Sequence, residues 1–295
     1  MNRTPHPRRR TRALMGASAT LATLATLAAL ATLAAGVAVP AFADTSTSET
    51  TSTTSASAGT TSASAGTSAG TSAGTSAGTS AGTSAGTSAG TEQACLTAVR
   101  AWAAHAVTQR ESTITSLTSR VNANQHVSAT DRSALLAVLS ADVPALTKVG
   151  QTVAADTSCT QARTDAKTIV TDYRIYAVVV PQVHLVLAAD NGLYAVSKLQ
   201  AALPTLTKAI ADEQAAGKDV TAAQAAVDDL QAQISAATQA FTAAGPAALA
   251  LTPAGWNANH DITAPVREQV KTGRTALRAG LKDLATASQI LLGNI

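Results

Sequence analysis

From about residue 92 onward, apolar residues recur at alternating steps of three and four, the spacing that lines one face of an α-helix. Five segments carry it. Over about 92–122 the stripe is Ala103, Val107, Arg110, Ile114, Leu117 and Val121. Over about 130–155 it is Leu136, Leu139, Val143, Leu146 and Val153, with "SATD" from Ser128 as a start signal and Pro144 predicting a kink or a split. A third segment, about 158–216, is unusually long. Ile169, Tyr173, Tyr176, Val180, Val183 and Leu187 share one stripe, which restarts in another phase as Val196, Leu199, Leu203, Leu206 and Ile210. Gly192 lies where the phase changes, so a break or register shift is expected there, with further kinks at Pro181 and Pro204.

The fourth segment, about 219–244, holds Val220, Ala223, Val227, Leu230, Ile234, Ala237 and Phe241 in a coiled-coil-like repeat that Gly245-Pro246 should end. The fifth, about 264–292, keeps Val270, Leu277, Leu284 and Leu291 seven apart, with Gly273, Gly280 and Ala287 as small companions that let helices approach closely. No stretch alternates as a strand would. The expectation is an all-α fold of antiparallel helical bundles: two up-down-up three-helix units sharing the long third segment, with one compact bundle as the alternative.

The N-terminal third breaks this pattern. An Arg-rich start and an uncharged run from Ala13 to Ala43 read as a signal peptide, with export and cleavage after Ala43 expected from the small residues Ala41 and Ala43. An uncleaved membrane anchor is the rival reading, and a Sec route fits better than a twin-arginine one. From 44 to 91 the chain is nearly all Thr, Ser, Ala and Gly, including an unbroken array of TSAG repeats. It has no large side chain to bury and is expected to be a disordered linker whose hydroxyls are candidate O-glycosylation sites.

Composition changes the picture in two places. The chain has 21 basic and 18 acidic residues, but five basic ones lie before Ala43, so the remainder is net negative and nothing suggests a nucleic-acid partner. The two cysteines, Cys95 and Cys159, begin the first and third segments. In an up-down-up bundle those starts lie at one end, so a disulfide is expected there, in keeping with export.

Candidate chemistry is sparse. The histidines lack metal-ligand spacing, and no nucleophile elbow, phosphate loop or dinucleotide fingerprint occurs, so neither metal, cofactor nor enzymatic activity is expected. The richest stretch is "DYRIYAVVVPQVHLVLAADN", with Tyr173, Arg174, His184 and Asp190. Asp190 falls on the apolar stripe, and a buried carboxylate needs a partner. Arg132 is the expected one; a polar pocket for a small ligand around 173–190 is the rival. In "TPAGWNANHD", Trp256 is read as a plug over the bundle end, or else as an exposed contact.

That first stretch, together with "LTPAGWNANHDITAPVREQVKTGRTALRAGLKDLATASQILL", resembles secreted, alanine-rich helical proteins of actinobacteria over roughly 92–295. The group carries no assigned activity, so the resemblance transfers no site. These readings point to an exported, non-enzymatic structural or interaction protein of the envelope or extracellular space, meeting a protein or cell-wall partner. A secreted small-ligand-binding domain is the alternative.

Overall fold

The computed structural model describes residues 80–293, with side chains from Gly90 onward. The leader, the cleavage expected after Ala43 and most of the TSAG array lie outside the described residues. The described residues are helical, with no strand among them. In chain order they form α1 (Ser80–Ala123), α2 (Ala129–Ala155), α3 (Cys159–Thr171), a π-helical turn (Ile175–Val179), α4 (Val180–Ala215), α5 (Thr221–Leu249), the short α6 (Pro253–Ala258) and α7 (Ala264–Gly293).

α1, α2 and α3 pack on one another as a first three-helix unit. Its core is Ala103, Val107, Ile114, Leu117 and Val121 from α1, Leu135, Leu139, Leu146 and Val153 from α2, and Ala162, Ala166 and Ile169 from α3. The helix starts are capped: Ser128 Oγ accepts from Asp131 N, and Ser158 Oγ accepts from Gln161 N. At the foot of the unit Cys95 and Cys159 form the expected disulfide, with Cα atoms 5.8 Å apart. Beside it Glu92 Oε1 accepts from Cys159 N at 2.6 Å. α2 is long and apolar enough by composition to cross a membrane, and in the fold it lies against α1 and α3.

α4, α5 and α7 form the second unit, in which α5 and α7 pack along most of their lengths. The glycines here are contact points. A Cβ at Gly192 of α4 would lie 2.5 Å from the Phe241 ring, and one at Gly273 of α7 would lie 2.8 Å from it. Phe241 of α5 is thus seated over two bare backbones, which lets three helices close around the one large aromatic in this core. Every apolar position expected in the fifth segment is buried, as are Ala223, Val227, Leu230, Ile234, Ala237 and Phe241 of the fourth.

α4 belongs to both units. Between Gln182 and Gly192 it is buried on nearly every side: Gln182, Val183, Leu185, Val186, Leu187, Ala189, Asp190 and Gly192. A helix apolar all round needs cover all round, and here the first unit lies on one face and the second on the other. Beyond Ala195 only the second face stays buried, through Val196, Leu199, Ala202, Leu206, Ala209 and Ile210.

Several expectations are corrected. No break occurs at Gly192; the phase changes there because α4 loses its first-unit neighbours while the helix runs on. The break lies at 172–174, where Arg174 adopts a left-handed conformation (φ 44°) before the π-turn. Tyr176, expected on the buried stripe, is 40% exposed, because the interruption rotates it off that face. Pro181 opens α4 instead of kinking it, since the first turn needs no N–H at that position. Pro144 lies within an unsplit α2. α5 continues through Gly245-Pro246 to Leu249, with Ala244 and Ala248 still buried. α1 starts at Ser80, earlier than the linker boundary at 91, consistent with extending a formed helix costing less than nucleating one.

Candidate functional site

The four residues singled out around 173–190 all lie on the segment that joins the two units. The fold sends them to different partners. Each partner can be traced to a local feature of the chain.

Tyr173 and Arg174 sit at the break. Tyr173 faces α2 near Asp142; burial raises its pKa, and the charges of Asp142 and then Asp172 push the same way. Asp142 is itself pushed up to about 6 by burial, and its Oδ2 finds no hydrogen-bond partner. Arg174 turns the other way. Its Nε donates to Asn257 Oδ1 at 2.7 Å, while Asn257 Nδ2 donates to the carbonyl of Thr171 at 2.7 Å. Asn257 belongs to α6, in the connection between α5 and α7, so an amide of the second unit bridges both sides of the break in the shared segment. α6 is begun by Thr252, whose Oγ1 accepts from Gly255 N. Trp256 on the same helix is half-buried, packs against the core and lies 5.3 Å from the His260 ring.

His184 and Asp190 meet the first unit higher up α4. Arg120 near the end of α1 lies 3.4 Å from His184 Nδ1. An arginine can only donate, so the contact is a hydrogen bond only when this nitrogen carries no proton. Burial and then the Arg120 charge hold His184 below its usual pKa. Asp190 is 6% exposed, and its Oδ2 accepts from Ser128 N, the N-cap residue of α2, at 2.8 Å. Burial pushes its pKa up to about 6; the Ser128 N–H opposes this, and the neighbouring Asp131 carboxylate adds to it.

The expected Asp190–Arg132 pair does not form. Arg132 instead donates to the carbonyls of Val121, Asn122 and Asn124 at the end of α1. Those acceptors are left over by any helix C-terminus, and they lie closer along the chain than Asp190 does. Asp190 instead accepts from a backbone N–H at that corner, that of Ser128.

Sequence reasoning missed the other residues of this seam. His126 in the α1–α2 connection stacks on Tyr194 of α4 with ring centroids 3.7 Å apart, and Lys198 lies 4.8 Å over the same ring. Arg110, buried on α1, places its guanidinium 5.2 Å over Tyr176. Arg110 lies on the apolar stripe of the first segment, a signal that it needs a polar or aromatic cover. The His126–Tyr194 pair leaves no local signal, since it joins residues of different periodic segments.

Taken together, the polar side chains of 174–194 meet α6 and the first unit at successive levels along the shared segment and do not converge on one point. Among the described residues no three of His, Cys, Asp and Glu come together as a metal ion would need. No protein-family profile, no curated protein and no solved structure matches the chain.

Proposed function

We propose that this chain is an exported, non-enzymatic structural or interaction protein, presenting two fused three-helix units on a Thr/Ser/Ala/Gly stalk in the envelope or outside the cell. The observation that carries the reading is the Cys95–Cys159 disulfide at the foot of the first unit. Such a bond persists in an oxidising compartment and is rare in the cytosol. The Arg-rich leader and the small residues before Asp44 point the same way.

The internal distribution of polar groups supports an interaction role over a small-ligand one. Arg174, His184 and Asp190 meet α6, α1 and the N-cap of α2 separately, and Tyr173 lies toward Asp142 of α2. A ligand site would instead bring several of them to a common centre.

Fractionation of native cells with intact-mass measurement tests the proposal. The expected result is a chain beginning at Asp44, two hydrogens lighter than its reduced form, in the envelope or the medium, with added sugar mass if the stalk is glycosylated. Full-length chain with free thiols in the cytoplasm would overturn it.

A further inference from the structure

The outward face of α7 carries Arg267, Lys271, Arg274, Arg278 and Lys282 at steps of four, three, four and four. At 3.6 residues per turn they fall within an arc of about 80° and extend over about 22 Å of helix. The buried residues of α7, from Val266 to Leu291, occupy the opposite side. Four of the five cations are exposed and Arg274 is half-buried.

The charge balance makes this face distinct. α7 holds five basic and two acidic residues, whereas the rest of the chain after Ala43 holds eleven basic and sixteen acidic ones. Within the stripe Lys271 pairs with Glu268 at 3.1 Å in an exposed contact. Burial and then repulsion from Arg278 lower the Arg274 pKa, so the cations of this face are close enough to oppose one another.

We infer that this stripe is a docking surface for a linear, phosphate-bearing polyanion met outside the cytoplasm. The geometry selects the class of partner. Cations one helical turn apart, about 5–6 Å between neighbouring Cβ atoms, match a chain that carries one phosphate per short repeat. Two of the four exposed cations, Arg267 and Arg278, are arginines, whose planar forks hold phosphate oxygens in pairs. A lipid surface fits less well. Thr272, Thr275 and Thr286 flank the stripe, and no exposed large apolar residue of α7 is there to enter a bilayer.

This inference rests on the export reading, and the two fail separately: fractionation tests export, and a binding titration tests the surface. The purified chain is titrated with long-chain inorganic polyphosphate, with poly-γ-glutamate and anionic phospholipid vesicles as parallel arms. Polyphosphate should bind most tightly. Its affinity should fall on the order of 50-fold between 50 and 200 mM salt if about four phosphates are neutralised.

The combined Arg267→Gln, Lys271→Gln, Arg278→Gln and Lys282→Gln variant should bind at least about tenfold more weakly with a much flatter salt dependence. Its thermal transition should not change, because these side chains are exposed. Glu268→Gln, which removes the competing carboxylate, should tighten binding. Polyphosphate binding that survives the four substitutions, or poly-γ-glutamate or vesicles binding as well as polyphosphate, would overturn the inference. So would absence of binding at low salt.

Discussion

A methyl group at Gly192 would stand 2.5 Å from the Phe241 ring, and one at Gly273 would stand 2.8 Å from it. On helix propensity alone, Gly→Ala inside a helix is favourable by roughly 1 kcal/mol. Overpacking a filled core typically costs about 1–3 kcal/mol, so contact wins and the sign reverses. Gly273→Ala should lower the urea midpoint and Gly192→Ala should lower it further. Adding Phe241→Leu to Gly192→Ala should recover part of the loss, whereas a backbone origin of the effect would leave it unchanged. Asp190 makes a second prediction. Its pKa is pushed up to about 6 in the fold, against about 3.9 in an unfolded chain. The folded state therefore binds the proton more tightly. This contribution is fully present below pH 4 and is lost as pH rises through 6, about 3 kcal/mol at most. Asp142, raised to about 6 by burial, adds to that slope. His184, whose pKa is lowered, works in the opposite sense and loses stability as pH falls through its range. Asp190→Asn keeps an oxygen for Ser128 N but cannot ionise. Urea unfolding between pH 4 and 7 should show a variant more stable than the parent at pH 7, with a flatter loss toward neutral pH.

At the scale of elements, the break at 172–174 is where the fold holds a backbone against its preference. Arg174 has φ 44°, and a non-glycine residue in that region costs roughly 1–2 kcal/mol. Its side chain offsets this by bonding Asn257. Arg174→Ala keeps the cost and loses the bond, whereas Arg174→Gly loses both. The glycine variant should thus be the more stable of the two by about 1 kcal/mol. Asn257→Ala removes both bridging bonds, and amide hydrogen exchange should quicken first around Ile175–Val179. The break was not legible in the sequence, because Ile169, Tyr173 and Tyr176 keep helical spacing straight across it. Their spacing reports which residues want burial, and a π-turn consumes the same residues with a different rotation. α5 and α7 were legible almost position by position, since each buries one face against constant neighbours. α4 was misread for the opposite reason. Its two stripes lie on opposite faces and overlap at 182–192, and in one dimension a change of partner looks like a break in the helix. The polar residues behaved likewise: burial of Asp190 followed from its place on the stripe, but its partner depended on what Arg132 found nearer home.

For the whole molecule, the question is where the cooperative unit begins. The disulfide spans a sequence separation of 64, and in the chain-entropy model closing such a loop is worth about 4 kcal/mol. Replacing both cysteines with serine should lower stability by about that much, read from urea unfolding. Glu92 bonds Cys159 N, whereas a Cβ at Gly90 would meet nothing within 4 Å. The α1 backbone nevertheless continues back to Ser80 through Gly82, Gly86 and Gly90. Each glycine there costs roughly 1 kcal/mol relative to alanine, while extending a helix already formed costs less than nucleating one. Deleting residues 80–90 should therefore reduce the helical signal at 222 nm by no more than the share of those residues. It should leave the thermal midpoint within about 2 °C, because a surface change of under 0.5 kcal/mol shifts a domain of this size by no more than that. Glu92→Gln, which weakens the charge-assisted bond to Cys159 N, should lower the midpoint more than the whole eleven-residue deletion does. The reverse order would place the end of the TSAG array inside the cooperative fold and make it part of the bundle instead of its tether.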